Sequence, residues 1–174
     1  MGCGSVRLAL GVAAAGHTDT GVDPARASLE AARAKPGADS VTWVEGTSPI
    51  LPDAAFEVAV MTSHVAQFFV DDVEWERPLA DLKRGLVIGG RLTFDSRDPR
   101  AREWEKWNRI DSARRIIMPD GSVVEAWVEV TAVQGQAVSF TYHYTFPGGG
   151  TAQHCNTAFR TEEQLRSSVH SAGF

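Results

Sequence analysis

Apolar and polar positions along this chain keep two rhythms, one for each half. From Arg7 to Ala15 the residues Leu8, Val12 and Ala15 recur at the three-to-four spacing of one helix face. Gly16 then suits a helix end in the left-handed conformation. Thr18 to Val22 reads as a short strand, and Asp23 closes it. Asp23-Pro24 opens a helix, with the acid as cap and the proline at the first position. Ala25, Leu29 and Ala32 form the inner stripe of that helix, and Pro36-Gly37 ends it. Val41 to Glu45 is the next strand. Leu51-Pro52-Asp53 turns into FEVAVM, Phe56 to Met61, an apolar run of buried-strand length. Asp71-Asp72 caps a helix that carries Trp75, Leu79, Leu82 and Leu86 on one face, and Pro78 inside it is expected to kink it or loosen its first turns. Gly89-Gly90 is a turn into a strand from Arg91 to Phe94.

From Asp98 the rhythm changes. A charged stretch, Arg100 to Arg109, holds Trp104 and Trp107. Ile116–Met118, Val123–Val133, Ala137–Phe146 and Thr151–Phe159 then read as strands, with alternation clearest at Phe140, Tyr142, Tyr144 and Phe146. Pro119-Asp120-Gly121, Gln134-Gly135 and Pro147-Gly148-Gly149-Gly150 are the turns between them. Thr161-Glu162-Glu163-Gln164 is a capping box that starts a last helix with Leu165 and Val169 inward. Strands alternating with helices, then consecutive strands, predict an α/β core followed by an antiparallel β insert. The expected division is a core over residues 1–97, an insert over 98–160 and a closing core helix over 161–174.

At 174 residues one domain is the prior. A net charge of −5 argues against nucleic-acid and membrane-surface partners. No apolar run reaches 18 residues, and the start lacks the basic segment of a signal peptide. Two cysteines, Cys3 and Cys155, are too few for a disulfide framework, so a cytoplasmic location is expected.

The chemistry sits at the front. Gly2 and Gly4 flank Cys3 in a Gly-x-Gly turn, and a helix, a strand and an acid follow. Gly4 and Asp23 stand 19 positions apart, near the roughly 20 of a nucleotide-binding βαβ unit. Glycines there let the backbone approach a ligand, and the acid holds both hydroxyls of a ribose. Position 7 is Arg7 where the dinucleotide fingerprint has its third glycine, which argues against a nicotinamide oxidoreductase. With the FEVAVM strand and the LKRGLVIGGRLTF stretch in the right order, the chain resembles the class I S-adenosylmethionine (SAM)-dependent methyltransferases over Gly2 to Asp95.

That resemblance implies a Rossmann-like core with SAM as cofactor. It implies cofactor contacts from Gly2, Cys3, Gly4, Arg7, Asp23, Pro24, Thr47, Ser48, Met61 and Thr62. Thr47 stands where the family often has an acid that bonds the adenine amino group. It implies that the first strand and the last two strands of the family's sheet are missing or incomplete here, and that the β insert is a substrate lid. Without its central strand, the sheet is expected either to borrow strands from a second copy, making a homodimer, or to close up on the gap. His64 follows the FEVAVM strand, where this family faces the methyl group, and a neutral imidazole there is suited to take a proton. A solvent-facing or helix-capping histidine is the competing reading, as a plain helix cap is for Asp23. His143, His154 and Cys155 have poor zinc spacing, so no metal site is expected. The acidic residues interspersed among Arg97, Arg100, Arg102, Arg109, Arg114 and Arg115 favour a solvated face over an anion site. Trp104, Trp107 and Trp127 are read as aromatic core before pocket wall. The implied function is methylation of a small-molecule acceptor by direct displacement. The alternative is a relative that keeps the fold without turnover and serves in binding.

Overall fold

The computed structural model describes residues 6–174. The expected Gly2, Cys3 and Gly4 turn lies outside the described residues. The chain divides into two units, one of residues 1–66, 72–96 and 165–174, the other of residues 67–71 and 97–164.

In the first unit, helix α1 (Val6–Ala14) ends at Gly16, whose φ of 90° is the left-handed stop expected there. Strand β1 (Asp19–Asp23) follows and pairs in parallel with β2 (Val41–Glu45), Asp19 opposite Val41 and Asp23 opposite Glu45. Between them runs helix α2 (Arg26–Arg33), which buries Leu29 and Ala32 completely. It starts later than the Asp23-Pro24 signal suggests. Ala25 is its N-cap and is exposed, so it is not part of the inner stripe.

Strand β3 (Phe56–Met61) is followed by helix α3 (Asp72–Gly85), which buries Trp75, Leu79 and Leu82 and continues through Pro78. Leu86 does not belong to its face. It opens strand β4 (Leu86–Phe94), which pairs in parallel with β3. From the pair Phe56–Leu86 to the pair Val58–Arg91, β3 advances two residues and β4 five. Gly89 and Gly90, expected as a turn, absorb that surplus inside the strand. Gly89 has φ 79°, and a Cβ on Gly90 would lie 2.9 Å from the Val87 carbonyl oxygen. The last helix of the chain, α5 (Glu162–Ser171), returns Ser168 to accept the indole N–H of Trp75 at 2.8 Å. Its predicted capping box is present: Gln164 N–H donates to Thr161 Oγ1 at 3.2 Å, and Thr161 N–H to Gln164 Oε1 at 2.8 Å.

Among the described residues, β1 pairs only with β2 and β3 only with β4. The sheet is two parallel halves, so the strands flanking the gap have not moved together, contrary to one of the two expectations. Instead a cavity of about 640 Å³ separates them, lined by Thr20 and Val22 of β1, Val58 and Val60 of β3, and Val12 of α1.

In the second unit a short helix, α4 (Arg109–Ser112), leads into β5 (Arg114–Ile117), β6 (Val123–Gln134), β7 (Ala137–Phe146) and β8 (Gly149–Ala158). These make an antiparallel meander in sequence order, as the alternation predicts. Half-buried Trp104 packs edge-on against buried Phe159, and half-buried Trp107 against buried Phe140, with centroids 4.4 and 4.9 Å apart. Buried Arg160 donates to the carbonyls of Phe69, Val70 and Asp71 at 2.7, 3.3 and 3.0 Å.

Candidate functional site

In a parallel sheet the carboxyl ends of the strands collect the loops that bind ligands. The first unit presents two such groups. At the end of β1, Asp23 is buried, 7% exposed. Its Oδ1 accepts the Ala25 N–H at 2.9 Å, and its main-chain carbonyl accepts the Gly46 N–H at 3.1 Å. The parallel register thus sets Asp23 beside the loop after β2, which carries exposed Thr47. Asp23 Oδ2 has no hydrogen bond among the described residues. A carboxylate with one oxygen anchored and one unspent fits a ribose diol, so the residues present suit the SAM nucleoside. The competing reading, Asp23 as the cap of the next helix, is not met: Ala25 is the N-cap of α2, and Asp23 instead bonds the Ala25 N–H one turn ahead of it.

The neighbouring positions differ in what they offer. Pro24 is exposed beside Asp23, and Arg7 is exposed on the first turn of α1. Ser48 is buried and its hydroxyl donates to Asp81 Oδ2 at 2.7 Å, so that hydroxyl is already engaged. Met61 has no exposed surface and serves the core. Thr62, the next residue, is half-buried and borders the cavity between the half-sheets.

At the ends of β3 and β4 the structure joins two residues 31 positions apart. His64 donates its main-chain N–H to Asp95 Oδ2 at 3.0 Å, and its Nδ1 contacts the same oxygen. Ser63 and His64 both have left-handed backbones, φ 59° and 60°. Asp95 escaped the sequence reading, although an acid directly after the LTF strand was its available signal. The His64 side chain is 35% exposed, and the residue directly precedes a short 3-10 helix, Val65–Phe68.

In the second unit, His143 stacks on Trp127 at 4.7 Å with Arg109 over the indole at 4.6 Å, and His154 Nδ1 lies 2.9 Å from Thr141 Oγ1. Burial pushes the half-buried Cys155 thiol and the Tyr142 hydroxyl above their ordinary pKa values. Arg102 pairs with Glu105 at 2.8 Å and Arg100 with Asp98, whose carboxyl it holds below its usual range, on an exposed face, whereas Arg97 pairs with Glu103 at 2.9 Å but also donates to buried Gln67 at 3.0 Å.

Comparison with known proteins agrees with this geometry. The profile of the family described as "Methyltransferase domain" matches residues 1–94, more than half of the chain. Among solved structures, the CcbJ methyltransferase from Streptomyces caelestis is 17% identical with a TM-score of 0.73, covering 99% of this chain and 70% of its own. The SAM-bound amino pentose methyltransferase CalS10 from Micromonospora echinaspora is 19% identical with a TM-score of 0.70, covering 99% and 72%. The sugar N-methyltransferase KedS8 from Streptoalloteichus is 16% identical with a TM-score of 0.68, covering 88% and 62%. The chain thus spans about two thirds of the length of these structures. No match is found among curated proteins. No helix among the described residues is long and apolar enough to cross a membrane. A Rossmann-like α/β core, an acid at the end of the strand that follows α1, and a family match over the same segment lead to one conclusion: the chain belongs to the methyltransferase domain family, the SAM-dependent methyltransferases.

Proposed function

We propose that this chain methylates a small-molecule acceptor, with His64 as the base that takes the acceptor's proton. Bound SAM supplies an electrophilic methyl group on a positively charged sulfur. Asp23 holds the ribose through its unspent oxygen, the exposed loop at Thr47 borders the adenine, and the expected Gly2–Gly4 turn, Arg7, Pro24 and Thr62 complete the cofactor side. Ser48 contributes through its main chain, because its hydroxyl serves Asp81. His64 receives the proton that a hydroxyl or ammonium acceptor must lose as its lone pair becomes available.

The observation that carries this reading is His64 at the carboxyl end of β3, backed by a carboxylate and with its ring partly open. The neighbours support it: KedS8 is named a sugar N-methyltransferase and CalS10 an amino pentose methyltransferase. The test is calorimetric titration with SAM, with NAD as control. It is followed by mass-spectrometric detection of methylated products from a panel of hydroxylated and aminated small molecules that includes amino sugars. SAM binding with product from the panel supports the reading. SAM binding without any product favours the alternative of a binding protein that keeps the fold, as the split sheet would also suggest. Failure to bind SAM refutes the enzyme reading and favours the degenerate relative that keeps the fold in an interaction role.

A further inference from the structure

One oxygen, Asp95 Oδ2, holds both ends of His64. It accepts the main-chain N–H at 3.0 Å and lies against Nδ1 of the ring. Asp95 is itself fixed on β3, because its own N–H donates to the Met61 carbonyl at 3.3 Å. The backbone between these anchors is unusual. Ser63 and His64 are successive non-glycine residues with φ near +60°, a conformation that persists only where the surroundings hold it. Asp95 holds it through the His64 N–H.

The ring is asymmetric in its environment. Nδ1 is sealed from water, yet the His64 side chain is 35% exposed, so the open part of the ring is the side that carries Nε2. Nδ1 makes no hydrogen bond of regular geometry, but a lone pair there would be repelled by the adjacent carboxylate oxygen, so the neighbour favours a proton on Nδ1. A proton on Nδ1 leaves the neutral ring with its lone pair on Nε2, turned outward.

We infer that Asp95 is a positioning residue that fixes His64 in the Nδ1–H tautomer, so that Nε2 is the atom that accepts a proton from the methyl acceptor. This rests on the reading of His64 as the base. The proton balance closes: the acceptor's O–H or N–H proton moves to Nε2, the resulting imidazolium is neutralised by the adjacent carboxylate, and the proton then passes to water. The carboxylate thus sets the tautomer and stabilises the charged ring without itself becoming protonated. An acceptor served by this pair carries a proton to shed, which means a hydroxyl or an ammonium rather than a thioether or a tertiary amine.

The experiment is ¹⁵N NMR of the full chain labelled at its five histidines, with the His64 signals identified by their loss in His64→Gln. The wild-type protein above neutral pH is expected to show the Nδ1–H tautomer at His64. Asp95→Ala is expected to return that ring to the mixture of free histidine, in which the Nε2–H form predominates. Asp95→Asn keeps an oxygen acceptor and is expected to retain much of the Nδ1–H form, which provides a folded control should the alanine variant unfold. A wild-type His64 in the Nε2–H form, or a tautomer unmoved by Asp95→Ala in a folded protein, overturns the inference. The reading of His64 as base fails separately: if His64→Gln methylates the panel as fast as wild type while the tautomer result stands, Asp95 positions a histidine that is not the base.

Discussion

Replacing Asp23 separates its structural from its ligand-binding role. Asp23 Oδ1 accepts the Ala25 N–H at 2.9 Å ahead of α2, and Oδ2 is the oxygen left for a ribose hydroxyl. Asp23→Ala removes both. Loss of the local turn bond is of the size of a lost helix cap, about 1 kcal/mol, which for a chain of this length lowers Tm by roughly 2–4 °C. Loss of a hydrogen bond to a charged group costs about 1.5–3 kcal/mol, so SAM affinity should fall roughly 10- to 150-fold. Asp23→Asn keeps an oxygen for Ala25 but gives up the charge, and a neutral bond has roughly half the strength. That variant should melt near wild type and still bind SAM more weakly, by roughly 3- to 13-fold. Thermal melts read the first effect and calorimetric titration with SAM the second. If both variants bind SAM as tightly as wild type, Asp23 does not hold the ribose, and its burial reflects only the turn.

Three further outcomes can be checked. Gly90→Ala puts a Cβ 2.9 Å from the Val87 carbonyl and 3.2 Å from that of Glu57, neighbours that are backbone and cannot swing away. Urea unfolding should show a loss of about 1–3 kcal/mol, and an unchanged midpoint would mean the β3–β4 bulge is differently built. Arg160→Met strips a donor from three carbonyls in a buried site and should cost about 3 kcal/mol or more; a cost below 1 kcal/mol would show that water replaces it. The edges of β1 and β3 that face the cavity should promote self-association as concentration rises, and Val58→Lys, at a position 55% exposed on β3, should suppress it in sedimentation experiments. A wild-type chain that stays monomeric throughout would show that those edges are already satisfied.

The hydrophobic rhythm alone determined most elements, because period and punctuation are local properties. Val41–Glu45, Phe56–Met61 and Ala137–Phe146 fall where alternation and turn residues place them. Gly16 stops α1 through a conformation that needs no partner. The family was likewise legible in local motifs taken in order: the glycine-to-Asp23 spacing, the FEVAVM strand and the LKRGLVIGGRLTF stretch. What tertiary structure decided was pairing. Leu86 reads as the next turn of α3 and becomes the first residue of β4, because the register with Phe56 offers its side chain a buried place in the sheet. The Ser48 hydroxyl is committed to Asp81, 33 positions on, a pairing that no local pattern shows. His64 gains a defined chemistry only where β4 ends beside β3 and brings Asp95 to its ring. The meeting of two residues 31 positions apart is set by strand order, which no local pattern encodes.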